Sequence, residues 1–280
     1  MFYLFALLKI IMILVACSSQ DIASANAAKA FISLAGLEDR GDKTYLGEGI
    51  RLQILDSPLP IAEGLQLEGA SLAIFMSRHS SASGIPAMTV HPMGNWGPEA
   101  KLGGMPRTLS VAAPSPMLSI LHILFGSYKD IAVTYEATHH GPALSVPALF
   151  AEFGGSESTI NSTEYAKRLA GAVHSFCESY SANRKGEKTS RVVIGIGGTH
   201  YPKRFTSLAI EKGYAFSHMM PKHAILNPDG TDNIGMLEQA IERSSEPVEM
   251  AVIDWKSINS GPRSIITKKL DEIGMGYERI

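Results

Sequence analysis

The stretch MILVACSSQDIAS, residues 12–24, admits two incompatible readings. An apolar, partly β-branched start, followed by Ser-Ser-Gln-Asp and small helix formers, fits a buried first strand running into the first helix of an α/β domain. Joined to the apolar residues before it, the same stretch carries Leu14-Val15-Ala16-Cys17, the pattern of a lipobox at which an exported protein is cleaved and lipidated. The sole charge before Ala16 is Lys9, inside the apolar run, whereas a signal peptide places its positive charge ahead of that run. The run is also shorter than the roughly 20 residues that span a bilayer. The strand reading is therefore adopted, with no membrane segment and a cytoplasmic location expected. Residues 1–11 are then an extension or a mis-assigned start, and residues 12–280 a single domain.

Working outward, short apolar runs alternate with helical patterns, which predicts a mostly parallel sheet with helices on both faces. Strands are expected at 11–16, 49–55, 71–77, 131–137, 191–197, 214–220 and 248–255. Helices are expected at 21–35, 115–126, 162–181, 205–212, 232–244 and 262–273, with the polar loop SANRKGEKTSR after the third. The Gly- and Pro-rich stretch from Ser80 to Pro116 reads as a long active-site excursion. A chain of 280 residues with 45% hydrophobic residues can bury a substantial core. Its net charge of −2 excludes a global basic field, so any nucleic-acid contact must be local. Two cysteines, Cys17 and Cys177, are too few for a disulfide framework and lack CxxC spacing.

Nine histidines are more telling, because several fall just beyond expected strand ends. His79, His139, His140 and His200 do so, and in open α/β sheets ligands bind in the crevice outside the carboxyl ends of strands. In YEATHHGP, 135–142, the Gly-Pro turn lets both imidazoles face one cleft, which suits a metal site, although one of them could be a hydrogen-bonded structural residue. No HExxH or CxxC pattern fixes that geometry. GIGGTHYPKRF, 195–205, is a tight turn fit either to cradle a phosphate or to bring backbone close to substrate. Lys203 and Arg204 are placed to meet an anion or to stand solvated. His218, inside an apolar strand, gains no role from pattern alone, and Trp96 suits a stacking surface or the core.

Together these blocks resemble the archaeal and plant-type D-aminoacyl-tRNA deacylases. The resemblance runs from about Ile13 to Gly276, through CSSQDIAS (17–24), SRHSS (77–81), PAMTVHPMGNWG (86–97), YEATHHGP (135–142), EFGGSE (152–157), GIGGTHY (195–201), FSHMMPKHA (216–224) and DWK (254–256). Two positions depart from the family pattern: Thr199, where a small residue is usual, and His223, where Tyr is usual. The resemblance implies a three-layer α/β/α sandwich with a mostly parallel mixed sheet, similar in topology to peptidyl-tRNA hydrolases and nucleoside phosphorylases. It implies hydrolysis of the ester joining a D-amino acid to the terminal ribose of tRNA, with zinc at the site, by a protein acting as a monomer.

Which histidines hold the metal does not follow from the resemblance. By placement, His79, His91, His139, His140 and His200 include the ligands. Glu136, His140 and His218 are the candidates for catalysis, Glu136 either orienting a ligand, moving a proton or serving structurally. Trp96, Lys203, Lys222 and Lys256 are the candidates for the acceptor end of the tRNA. A metal-dependent hydrolase or phosphorylase of a small substrate is the alternative on the same fold.

Overall fold

The computed structural model describes residues 12–81, 83–182 and 190–280, so the expectation for residues 1–11 and most of the polar loop after residue 182 lie outside the described residues. The chain runs β1 (Met12–Ser18), α1 (Ile22–Ala35), β2 (Glu38–Asp39), β3 (Thr44–Gly47), β4 (Ile50–Leu55), β5 (Ala70–His79), β6 (Ala87–His91), β7 (Gly94–Asn95) and β8 (Thr108–Leu109). It continues with α2 (Pro114–Ser127), β9 (Ala132–Tyr135), β10 (Ala148–Gly154), α3 (Glu157–Ile160), α4 (Thr163–Ala182), β11 (Arg191–Ile196) and α5 (Lys203–Lys212). The last elements are β12 (Tyr214–Met220), α6 (Met236–Glu242), β13 (Met250–Ile253), α7 (Ser260–Glu272) and β14 (Tyr277–Arg279). The protein is thus of mixed α/β class, with a large, mostly parallel sheet flanked by helices.

The opening stretch folds as the strand reading requires. β1 lies between β4 and β5, parallel to both, and Ile13 through Cys17 are fully buried. Strand alternation sends Ile13, Val15 and Cys17 toward α1 and α4, and Leu14 and Ala16 to the opposite face. Asp21 ends the turn as N-cap of α1, its carboxylate accepting from the Ala23 N–H at 3.0 Å, and Gly36 closes the helix in the left-handed region. Burial pushes the Cys17 thiol up to about 12, which makes it an inert core residue. Among the described residues no helix is long and apolar enough to cross a membrane.

Among the described residues the larger sheet has the order β2-β3-β4-β1-β5-β10-β6-β9, and a second, all-parallel sheet has the order β12-β11-β13-β14. All seven expected strands are present. The excursion from Ser80 to Pro116 is only partly a loop, because β6 pairs antiparallel with β10 inside the large sheet and parallel with β9. Helices α1, α2 and α4 cover one face of that sheet. Its other face packs Leu14, Leu55, Phe75 and Phe150 against Leu59, Ala62 and Met93, which come from irregular segments. Helices on both faces are found instead around the smaller sheet, with α2 and α5 on one side and α6 and α7 on the other.

The two sheets join where the chain leaves β9. Ala137 N donates to His200 O at 2.8 Å and Thr138 N to Met219 O at 3.0 Å, while Met219 N donates to Thr138 Oγ1 at 2.9 Å. This seam carries residues 136–140 from one sheet to the ends of β11 and β12. A chain starting at Cys17 would lose Met12 to Ala16, most of a strand lodged between two others. It should express as insoluble material or lack a cooperative urea transition, whereas removal of residues 1–11 should leave that transition in place.

Candidate active site

The period-two alternation of three neighbouring strands builds the floor of the site on the face that helices leave free. On β5, Ala73 and Phe75 face the same way as Ser77 and His79; on β10, Ala148 and Phe150 share their face with Glu152. On β6, Met88 and Val90 turn to the helices, so His91 turns to the free face, where its ring stacks on Phe150 with centroids 5.0 Å apart. Tyr135 is in the helix-side core, so Glu136, the next residue, projects into the same space. Because β6 and β9 run against β5 and β10, these residues do not line one carboxyl edge. They meet over the face of the sheet.

Glu136 is the hub. It is 2% exposed, accepts from His200 Nε2 at 2.7 Å, and lies 2.9 Å from His79 Nδ1 and 3.7 Å from His139 Nε2. The angle of the His79 approach leaves Oε1 without an aligned donor. Burial opposes ionisation of Glu136, but the contacts to His200 and His79 outweigh it and hold the carboxyl well below its ordinary range. Reciprocally, the carboxylates raise His79 above the usual histidine value in spite of its burial. Glu152 shows the opposite behaviour: burial and then the charge on Glu136 push it up to about 8. The two neighbouring carboxyls are thus driven in opposite directions, the pattern that separates acid from base in one site.

Three imidazoles sit beside this pair in a common tautomer. His139 Nδ1 donates to Ala137 O at 2.8 Å, His140 Nδ1 to Gly141 O at 2.7 Å, and His91 Nδ1 to Pro92 O at 3.2 Å. A carbonyl can only accept, so each Nδ1 carries the proton and each Nε2 offers a lone pair. Burial, followed by repulsion between neighbouring rings, lowers His91 and His140 to about 4 and His139 well below its ordinary value, so all three are neutral. One ring nitrogen from each lies within 4.8 Å of the others. His91 Nε2 is buried with no hydrogen-bond partner, and Glu152, 3.6 Å away, is too far to serve as one. Neutral histidines oriented by backbone carbonyls, with an orphaned lone pair among them, are a donor set suited to a divalent metal ion. Glu136 with His139 and His200, and His79 with Glu136 and Glu152, form adjoining groups of the same kind. His140 holds its place at φ 40°, a strained left-handed value for a non-glycine residue, while its carbonyl accepts from Gly94 N at 2.7 Å.

All five histidines expected to include metal ligands thus converge, together with Glu136, on a cleft of about 590 Å³; His91 lies beneath it and the other four line it. His218 is not brought there. It is fully buried, with Nε2 donating to Ser110 O at 3.0 Å and to Arg243 O at 3.2 Å, and Nδ1 accepting from Thr138 Oγ1 at 3.2 Å. Trp96 is 5% exposed and donates from Nε1 to Thr138 O at 3.1 Å, so it braces the histidine loop from below and offers no face for stacking. Lys203, Lys222 and Lys256 are exposed and stand outside the cleft around the turn that carries His200. Lys222 N donates to Gly198 O, and Gly198 N to Oγ of Ser257, the neighbour of Lys256. Glu152 was not anticipated as a site residue. Its signal was a lone charge inside the apolar run ALFAEFG, whose strand was itself overlooked.

Fold and site define an α/β protein whose buried histidines and glutamates form groups suited to holding a metal ion. A family model for D-aminoacyl-tRNA deacylase matches residues 67–278. A D-aminoacyl-tRNA deacylase of Thermococcus onnurineus is 33% identical over 92% of this chain and 96% of its own length. One from Ignicoccus hospitalis is 37% identical over 81% and 88%, and one from Methanosarcina acetivorans is 33% identical over 94% and 90%. The crystal structure of a conserved protein of unknown function superposes with a TM-score of 0.82 at 28% identity, covering 96% of this chain and 95% of that one. The chain belongs to the D-aminoacyl-tRNA deacylase family.

His218, lowered by burial to about 4, binds its proton far less readily than in the unfolded chain, where the value is about 6.5. Its contribution to stability is complete above about pH 6.5 and is lost as pH falls toward 4, amounting to roughly 3 kcal/mol. Urea unfolding at pH 7 and pH 4.5 should therefore show that His218→Gln is less stable than the parent at pH 7 but loses less on acidification. An equal loss in both proteins would remove His218 as the cause.

Proposed function

We propose that this chain hydrolyses the ester between a D-amino acid and the terminal ribose of a tRNA, with a zinc ion at the histidine cluster. What supports the reading is the convergence of Glu136, Glu152, His79, His139, His140 and His200 on one cleft with His91 beside them. His91, His139 and His140 would hold the ion, with Glu136, His79 and His200 within reach of the same space. When bound, zinc supplies Lewis acidity, polarising the ester carbonyl and acidifying water.

The chain's own groups account for the protons. Glu136 takes the proton of the attacking water as the new C–O bond forms at the ester carbonyl carbon. Glu136 then hands that proton to the ribose oxygen as the old C–O bond breaks, while His200, donating to the same carboxylate at 2.7 Å, holds it in place. Glu152 stays neutral and so avoids burying a second negative charge beside Glu136. His79 keeps Glu136 ionised between turnovers. Lys203, Lys222 and Lys256 stand where phosphates of the acceptor end can reach them while the ester lies at Glu136.

Deacylation of D- and L-tyrosyl-tRNA measured with and without a chelator tests this directly. D-selective hydrolysis that disappears on chelation and returns with zinc is expected; no D-selective hydrolysis in a metal-replete sample sinks the reading. Glu136→Gln should lower kcat by about 10²–10⁴-fold, and His139→Ala should lose both activity and bound metal. Lys222→Ala should instead raise KM at nearly constant kcat, and reduce the slope of log(kcat/KM) against log salt by about 0.7 per phosphate contact.

A further inference from the structure

The segment after β9 brings Glu136, His139 and His140 to the cleft, yet β9 itself ends at Tyr135, so no continuous strand ladder sets their positions. Thr138, in their midst, is buried, does not line the cleft, and has every polar atom engaged. Its N–H donates to Met219 O at 3.0 Å, its carbonyl accepts from Trp96 Nε1 at 3.1 Å, and its Oγ1 accepts from Met219 N at 2.9 Å. His218 takes the remaining hydroxyl proton. Its Nε2 faces two carbonyls, Ser110 O and Arg243 O, and so carries the ring proton, which leaves Nδ1 as the acceptor for the Thr138 hydroxyl. Ser110 extends the path: its Oγ donates to Pro142 O at 2.6 Å and accepts from Leu144 N at 2.9 Å. Thr138 and Pro142 flank the turn His139-His140-Gly141, and both are thus tied to one path through the fully buried His218 and Ser110.

We propose that Thr138, His218 and Ser110 form a clamp that sets the turn bearing His139 and His140 against Glu136, and that the three are positioning residues for the chemistry there; the kinetic side of this inference rests on the ester-hydrolase reading above. Each hydroxyl and ring nitrogen in the clamp has a single donor and acceptor assignment, and a buried polar network satisfied in one arrangement rigidifies what it holds. The turn needs such support, because His140 keeps φ 40°, a value that persists only where the surroundings over-determine it. From the other side the turn is held by Gly94 N on His140 O at 2.7 Å and by Gly141 N on Leu102 O at 3.0 Å. Those bonds run from main chain to main chain; the clamp is the part written in side chains. Reacting groups must stay within about 0.5 Å of their productive places, and removing the groups that orient metal-binding side chains costs about 10–100-fold in metal affinity or activity.

The test makes Thr138→Val, which keeps the shape and removes the hydroxyl, Thr138→Ser, which restores the hydroxyl, and Ser110→Ala at the opposite end of the turn. Phe216→Leu serves as control, since it trims a ring packed near Tyr135 and Phe205 on the same strand as His218 but removes no hydrogen bond of the clamp. Each full-length variant is unfolded in urea, assayed for kcat and KM on D-tyrosyl-tRNA where it is fully folded, and titrated with Co²⁺ after metal removal, binding being read from the visible absorption. Thr138→Val and Ser110→Ala should each lower kcat at least tenfold with KM within twofold, and weaken Co²⁺ binding at least tenfold. Thr138→Ser should stay within threefold of the parent in both, and Phe216→Leu should lower the urea midpoint while doing the same. If Thr138→Val does not fold, Ser110→Ala carries the expectation alone. Folded clamp variants within threefold of the parent in kcat and Co²⁺ affinity, or a Phe216→Leu that loses as much as they do, would reduce the clamp to a stabilising element and overturn the assignment, while the hydrolase reading stands. If the parent hydrolyses no D-tyrosyl-tRNA, the hydrolase reading falls and the Co²⁺ titrations decide the clamp.

Discussion

Everything at the centre of this molecule depends on keeping Glu136 ionised while it is 2% exposed. A buried carboxylate without donors would take up a proton and become neutral. Here the compensating groups come from distant parts of the chain: His200, from the turn after β11, donates a hydrogen bond, and His79, from the end of β5, lies 2.9 Å away as an ion-pair partner. The seam makes this possible, since Ala137 N bonds to the carbonyl of the very residue whose ring donates to Glu136. Backbone pairing and side-chain pairing thus fix the same juncture twice, and the smaller sheet is placed by the residues that serve the site.

The antiparallel pair β6–β10 has a comparable role in the larger sheet. A purely parallel sheet would line its polar residues along one edge. By running β6 against β10, the fold sets His91 opposite Phe150 and Glu152 opposite Thr89, in the middle of the sheet face. Among the described residues no helix joins the apolar packing on that face; irregular segments bearing Leu59, Ala62 and Met93 cover it, and the cleft opens beside them. The arrangement also explains why His91 is both fully buried and next to an open site.

Much of this was legible in the sequence, for reasons that are specific to each part. β1, β5, β11 and β12 are short apolar runs bounded by polar turns, and those runs match a buried strand with little ambiguity. His79, His139, His140 and His200 were visible because titratable residues directly after such runs have few structural uses. β10 and β6 escaped because each holds a charged or titratable residue, Glu152 or His91, that breaks the apolar pattern for the sake of the site. His218 and Trp96 misled for the converse reason. Both sit in unusual blocks beside the histidines, but their polar atoms are spent on Ser110, Arg243 and Thr138, contacts of long sequence separation that no local pattern encodes.

Several departures from ordinary packing gather at one site. His91 Nε2 and Glu136 Oε1 are buried without aligned partners, His140 holds a positive φ, and Glu152 is protonated at a pH where a surface glutamate is ionised. Each of these costs stability by itself, as do the buried and unpartnered Arg51 Nε, Thr89 Oγ1, Tyr135 OH and Ser217 Oγ, whereas Ser110 and Ser24 are satisfied. A core assembled for stability alone would place apolar side chains at these positions, as it does one residue away at Val90 and Ala151. Within this cleft such departures meet three neutral imidazoles and two carboxyls on the sheet face away from α1, α2 and α4, and that combination is what the proposed function rests on.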